Sequence, residues 1–245
     1  MSTAPVPASD VKSPRDGSGE MFDAIAPRYD LLNRLISLGV DQGWRTKTVH
    51  ALALPRGARV LDLATGTADL ALLIAKTHPD ARIDGVDPSV KMLEVGKAKV
   101  VAAGAGEQVS LSVGTAERLD FPDATFDGLS IAFGIRNVTD RPRALREMAR
   151  VVKPGGRVAI LELSEPKGGF LAPFARFHVH QVVPFVGGLL SGSHEYKYLQ
   201  RSIAAFPPAE EFSRLMGASG LRVLEARPLT FGVCHLYVAE PGPPA

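Results

Sequence analysis

What the sequence lacks narrows it first. It holds one cysteine, Cys234, in 245 residues. No disulfide can form within the chain, which suits a reducing compartment. Net charge is scarce: 28 Lys and Arg stand against 26 Asp and Glu, leaving +2. There is no block of consecutive Lys and Arg. Such a surface has no strong field to draw in a polyanion, so nucleic acid is not an expected partner. Long apolar runs are missing too. The most apolar later stretch, 170–190, is broken by Arg176, His178, His180, Gln181 and two prolines, and makes a poor membrane span. Residues 1–20 are rich in Ser, Pro, Gly and Asp and lack the apolar core of a signal peptide. Asp10, Asp16 and Glu20 argue against a transit peptide. They read as a disordered tail. Metal ligands are thin: His178 and His180 do not share a helix face, and no cysteine or acid cluster completes a set. His178 could serve as a base, although a surface or packing role suits it better.

What is present reads as a single domain over 21–245, 45% hydrophobic and long enough for a sizeable core. Phe22, Ile25, Tyr29, Leu32, Leu35 and Ile36 recur at helical spacing in a segment that Pro55 and Gly57 close. Strands then alternate with helices. Strands are expected at 59–63, 82–86, 109–113, 126–133 and 157–163, with helices at 69–77, 89–103 and 142–152. The turn Lys153-Pro154-Gly155-Gly156 leads into the fifth strand. Short apolar strands alternating with helices predict a mostly parallel sheet covered on both faces. An inserted, mostly helical segment spans 170–206. A helix at 208–219 and an antiparallel hairpin at 221–228 and 231–239 follow.

Between the first strand and helix lies Asp62-Leu63-Ala64-Thr65-Gly66-Thr67. Ligands of doubly wound sheets sit at such carboxyl ends. Gly66 lets the backbone turn and approach a ligand. Asp87 ends the second strand, about 20 residues on, where a carboxylate accepts from both hydroxyls of a ribose. A dinucleotide fingerprint needs three glycines, and only Gly66 is here. Asp62 and Asp69 would repel a pyrophosphate but favour a sulfonium with an ammonium group. The loop therefore points to S-adenosylmethionine. By spacing alone, Gly114-Thr115-Ala116-Glu117 reads as a plain loop that could also bring Thr115 near an adenine edge.

The chain resembles the UbiE/MenG/COQ5 group of quinone-ring C-methyltransferases. The resemblance is carried by residues 22–30, the cofactor loop, Phe133-Gly134-Ile135-Arg136-Asn137-Val138-Thr139-Asp140, residues 150–166, Tyr196-Lys197-Tyr198-Leu199 and Ser202-Ile203. It implies a class I S-adenosylmethionine-dependent methyltransferase, an α/β fold with a Rossmann-like, mostly parallel seven-stranded sheet. It implies cofactor contacts at Thr67, Asp87, Thr115 and Ala116, with Asp62, Gly66 and Tyr29 nearby. Ala68 departs from a frequent glycine, Thr115 from Asn or Asp, Ala132 from serine and Arg201 from an acid.

The implied reaction methylates a ring carbon of a polyprenylated quinol, demethylmenaquinol above all, with the ubiquinone-pathway benzoquinol also open. That carbon is nucleophilic only as its phenol, with a pKa of about 10, loses its proton. Arg136 is the candidate to stabilise the phenolate, with Asn137 holding a water. The structural alternative pairs Arg136 with Asp140 and makes Asn137 a cap. Phe170, Leu171, Phe174, Phe177, Val182, Val183, Phe185, Val186, Leu189 and Leu190 suit a passage for the prenyl tail, and equally a core or homodimer surface. The expected location is cytoplasmic, with peripheral contact at the membrane's inner face left open. Two other readings stand beside this one. Another small-molecule methyltransferase would share the loop but not the 133–138 block, and a non-catalytic cofactor-binding subunit would not turn over. Base methylation of nucleic acid is disfavoured, because Ala132-Phe133-Gly134-Ile135 replaces the expected Asn/Asp-Pro-Pro-aromatic block.

Overall fold

The structure, a computed structural model, describes residues 22, 23, 26, 29, 30, 34, 37, 39–164 and 193–242. The expected tail at 1–20, the two histidines at 178 and 180 and the apolar 170–190 stretch lie outside the described residues.

Helix α1 (Val40–Ala51) precedes a regular alternation. Strand β1 (Arg59–Leu63), α2 (Asp69–Thr77), β2 (Arg82–Asp87), α3 (Val90–Ala102), β3 (Val109–Val113) and β4 (Phe126–Ala132) follow. A 3₁₀ turn (Ile135–Asn137) leads to α4 (Arg141–Val151) and β5 (Val152–Leu163). Helices α5 (Ser193–Ala204) and α6 (Ala209–Ala218) precede β6 (Leu221–Leu229) and β7 (Cys234–Pro241). The seven strands lie in the order β3-β2-β1-β4-β5-β7-β6. Pairs from β3 to β5 are parallel, while β7 runs antiparallel between β5 and β6.

Alternation along each strand feeds two cores. Val60, Ile83, Ala159, Leu161 and Leu236 pack under α1 and α2. Leu61, Leu63, Leu129, Ile131, Ile160 and Tyr237 pack against α4 and α6. Helix starts carry their own caps. Ser89 accepts from the Met92 amide at 3.1 Å to open α3, and Asp140 accepts from the Arg143 amide at 3.0 Å to open α4. Each such cap contributes about 1 kcal/mol.

Several boundaries differ from expectation. The last strand begins at Cys234, not Phe231, because Thr230–Gly232 form a 3₁₀ turn before it. The fifth strand begins at Val152, not Arg157, because Val152 pairs with Phe126 before an irregular step to the Gly128–Arg157 pair. The 153–156 turn is thus part of a bulged strand. The fourth strand stops at Ala132, because Phe133 has a left-handed φ of 60° and turns the chain out of the sheet.

The chain passes from β1 outward to β3, then returns to lay β4 on the other side of β1. This switch in direction opens a crevice at the carboxyl edge between β1 and β4.

Candidate active site

A cavity fills that crevice. Its walls come from Ala64 and Gly66 after β1, Val86 to Ser89 at β2, Gly114 to Glu117 after β3, and Ala132 to Gly134 after β4. Phe22 and Tyr29 close one side, their rings edge to face at 6.0 Å. Of the residues singled out above, Tyr29, Gly66, Asp87, Thr115, Ala116 and Asn137 line this one space. Asp62, Thr67 and Arg136 are not among its lining residues. They are buried behind it.

The loop after β1 is built from left-handed backbone. Ala64, Gly66 and Ala68 have φ of 49°, 56° and 66°. This winding turns successive amides inward. The Gly66 amide donates to Asp87 Oδ2 at 2.9 Å, and the Ser89 amide donates to Asp87 Oδ1 at 2.8 Å. Asp87 therefore holds both the loop and the entrance to α3. Across the crevice Gly134 is obligatory, because a Cβ there would come within 2.4 Å of the Ala64 Cβ.

Beneath the loop Asp62 is 1% exposed and accepts from Thr65 Oγ1 at 2.7 Å and Ser130 Oγ at 2.6 Å. Burial pushes its carboxyl up to about 6, against the pull of those hydroxyls and of Arg45. Burial also raises Asp87, although the Ser89 and Gly66 amides oppose it. Among the described residues lining the cavity there is no Lys or Arg. A pyrophosphate would meet carboxylates and no cation. A sulfonium and an ammonium would relieve two buried carboxylates, so the site fits S-adenosylmethionine.

The N-terminal segment is tied to this loop by charge. Thr67 Oγ1 donates to Asp30 Oδ1 at 2.6 Å, and Lys99 of α3 donates to Asp30 Oδ2 at 2.7 Å. Lys99 also bonds Asp69 at the start of α2. Ser89 Oγ donates to Asp23 Oδ1 at 2.5 Å. These links bring the Tyr29-Asp30 block over the cavity. None of them was foreseen from the sequence, where the partners lie far apart.

At the β4 side, Arg136 does not pair with Asp140, which is occupied in capping α4. Its partner is Glu162, fully buried in β5. Nη1 donates to Glu162 Oε1 at 2.6 Å and to the Phe133 carbonyl at 2.7 Å, and the Arg136 amide donates to Glu162 Oε2 at 3.0 Å. Burial works against the guanidinium charge, but Glu162 outweighs it, helped by the nearby phenols of Tyr29 and Tyr198. The guanidinium is held firmly cationic. Its Nε is buried with no hydrogen-bond partner among the described residues. Asn137 does not act as a cap either. Its Oδ1 accepts from the Tyr198 hydroxyl at 3.0 Å, tying the turn to α5. Glu162 had a signal that could have been read: it is a lone acid in the apolar run Ala159-Ile160-Leu161-Glu162-Leu163. A charge so placed needs a cation.

The model of the ubiE/COQ5 methyltransferase family matches residues 9–240. The chain is 46% identical over 224 residues to a ubiquinone/menaquinone biosynthesis C-methyltransferase of Geobacter sulfurreducens, covering 91% of this chain and 88% of that one. It is 43% identical over 221 residues to the demethylmenaquinone methyltransferase of Thermus thermophilus, covering 90% and 99%. Among solved structures it is similar to a SAM-dependent methyltransferase of Aquifex aeolicus, with a TM-score of 0.59, 18% identity, and 80% and 88% of the two chains covered. That last likeness shows the shared fold. The methyl donor is S-adenosylmethionine, the activity is C-methyl transfer, and the chain belongs to the ubiE/COQ5 methyltransferase family.

Proposed function

We propose that the acceptor is a polyprenylated quinol, with demethylmenaquinol converted to menaquinol. The observation that carries this reading is the buried Arg136–Glu162 pair beside the cavity residues Asn137 and Tyr29. The printed names of the relatives from Geobacter and Thermus support it. Asp87 holds the ribose, Gly66 and the Thr115-Ala116 turn border the cofactor, and Asp62 and Thr67 brace the loop from behind. Bound S-adenosylmethionine supplies an electrophilic methyl on sulfur. Arg136 places a fixed positive charge beside the phenol oxygen and lowers the cost of its ionisation. The guanidinium acts from behind the cavity wall, and Glu162 keeps it from turning away. Asn137 and Tyr198 fix the ring's position, which supplies much of the remaining acceleration.

Among the described residues no helix is long and apolar enough to cross a membrane. In this reading the enzyme works from the cytoplasmic side and meets its prenylated acceptor at the membrane's inner face. The test is incubation with labelled S-adenosylmethionine and each quinol precursor in turn. The methylated naphthoquinol is the expected product. Label in the benzoquinol alone, or in neither, would overturn the assignment.

The buried acids predict how cofactor binding responds to pH. A cationic ligand favours ionised carboxylates, so protonating the floor weakens its hold. Asp62 titrates at about 6 in the folded chain and 3.8 otherwise. Affinity for S-adenosylmethionine is expected to be steady above pH 7 and to fall about tenfold by pH 5, with protons released on binding near pH 6. Titration calorimetry in buffers of different ionisation heat measures both. Without ligand the raised value acts in the opposite direction. Between about pH 4 and 6 the folded chain keeps a proton that the unfolded chain has lost, so this group's contribution to stability declines as pH rises through that window.

A further inference from the structure

S-adenosylmethionine has its parts in a fixed order: amino acid, sulfonium, ribose, adenine. Once two are placed, the last follows. The carboxylates around the loop after β1 favour the cationic end there, and Asp87 at the end of β2 takes the ribose. The strands stand in the order β3-β2-β1-β4, so the path from the β1 loop past Asp87 leads on to β3. The adenine therefore falls against the turn after β3, Gly114 to Glu117, which lines the same cavity. That turn is closed on itself by the Arg118 amide, which donates to the Thr115 carbonyl at 3.3 Å.

We propose that Glu117 selects the adenine base by accepting from its 6-amino group, a role that rests on the ribose placement at Asp87 above and not on the identity of the methyl acceptor. β3 and β4 stand three places apart in the sheet, which separates their ends by about 14 Å. The loops that follow them lean together over β2 and β1, and Glu117 closes the remaining gap. Its Oε1 accepts from the Thr139 amide at 3.2 Å, and both residues line the cavity. The side chain is half-buried and fixed across the two walls. Oε2 has no hydrogen-bond partner among the described residues. The cation next to it in sequence does not neutralise it, because Arg118 pairs with Asp120 at 3.7 Å. One carboxylate oxygen is thus anchored and the other open, at the wall where the base lies.

The chemistry of the pair makes the contact selective. An ionised carboxylate only accepts. It matches an exocyclic amine, which donates, and opposes a 6-oxo group, which accepts. Thr115 cannot draw this distinction, because a hydroxyl both donates and accepts. A site built to bond one polar group penalises the analogue that leaves its own group unpaired. Glu117 is accordingly a specificity residue for the methyl donor and takes no part in moving the methyl.

The test is calorimetric affinity for S-adenosylhomocysteine and for its 6-oxo counterpart, S-inosylhomocysteine. The proteins compared are the unaltered chain, Glu117→Gln, Thr115→Ala and Asp87→Asn. The ratio of the two affinities within one protein is the readout, because a merely structural defect moves both together. The unaltered protein should prefer the adenine ligand about 10²-fold. Glu117→Gln keeps an oxygen for the Thr139 amide and turns its NH₂ to the base, so the preference should vanish or reverse. Thr115→Ala and Asp87→Asn should keep the preference, whatever they do to affinity. An unaltered protein that binds both ligands alike would sink the proposal, as would a Glu117→Gln protein that weakens both and keeps the preference. Should Glu117→Gln fail to fold, Thr115→Ala decides: loss of preference there makes the hydroxyl the reader and overturns the role of Glu117. An Asp87→Asn protein with unchanged affinity for both ligands would remove the ribose placement itself, and this role with it.

Discussion

Replacing Arg136 with alanine is expected to lower kcat about 10³-fold while leaving S-adenosylmethionine affinity within a few fold. The size follows from removing a fixed charge aimed at a developing oxyanion in a site shielded from water. The substitution also strands Glu162, fully buried with no cation, and breaking such a pair from one side costs roughly 3–5 kcal/mol. Two effects are thus entangled in one variant, and a cycle separates them. Adding Glu162→Gln to Arg136→Ala removes the second charge and should restore much of the lost stability. It should restore none of the activity. Glu162→Gln alone keeps the cation but loosens it, and should fall between. Urea titration and labelled-methyl turnover on the four proteins provide the comparison. A double variant that recovers turnover along with stability would reduce Arg136 to a packing role.

The second large effect is expected at Asp87. Asp87→Asn keeps the shape of the side chain but sets an amide donor against one of two backbone amides, Gly66 or Ser89. It also removes charge from the group proposed to accept the ribose hydroxyls. Hydrogen bonds to a charged partner contribute about 1.5–3 kcal/mol each, so losing one loop bond and part of the ribose contact should weaken cofactor binding about 10²-fold or more. At saturating cofactor kcat should remain within a few fold. The melting temperature should move little, because a carboxylate already disfavoured by burial is being neutralised. Calorimetry and the KM for S-adenosylmethionine measure this directly. A change confined to kcat would place Asp87 outside the cofactor site.

The sheet was readable from the chain because strands buried on both faces leave short apolar runs between turn residues. The loop after β1 was readable for a similar reason, since Gly66 and Asp87 belong to neighbouring elements and their spacing is local. The Arg136–Glu162 pair was not, and the structural alternative named a different acid, Asp140. Asp140 is near in sequence, but its carboxylate is better used on the Arg143 amide, and Glu162 stands 26 residues away on the adjacent strand. Lys99 escaped notice altogether. Its partners Asp30 and Asp69 are 69 and 30 positions distant, and nothing in the sequence sets it apart from Lys91 and Lys97 on the same helix.

The left-handed winding of the cofactor loop has a consequence for handling the protein. Glycine adopts that winding freely, but two of the three positions are alanines, 64 and 68. Each holds roughly 1–2 kcal/mol of backbone strain. The sheet beneath carries none of this load. On warming, that strain lowers the cost of opening the loop relative to the strands. A bound methyl donor opposes that opening by mass action, increasingly as its concentration exceeds the dissociation constant. Stock stripped of cofactor would then age from the loop outward, losing competence while its circular dichroism still looks native, and a modest excess of S-adenosylmethionine in the storage buffer is the natural preservative.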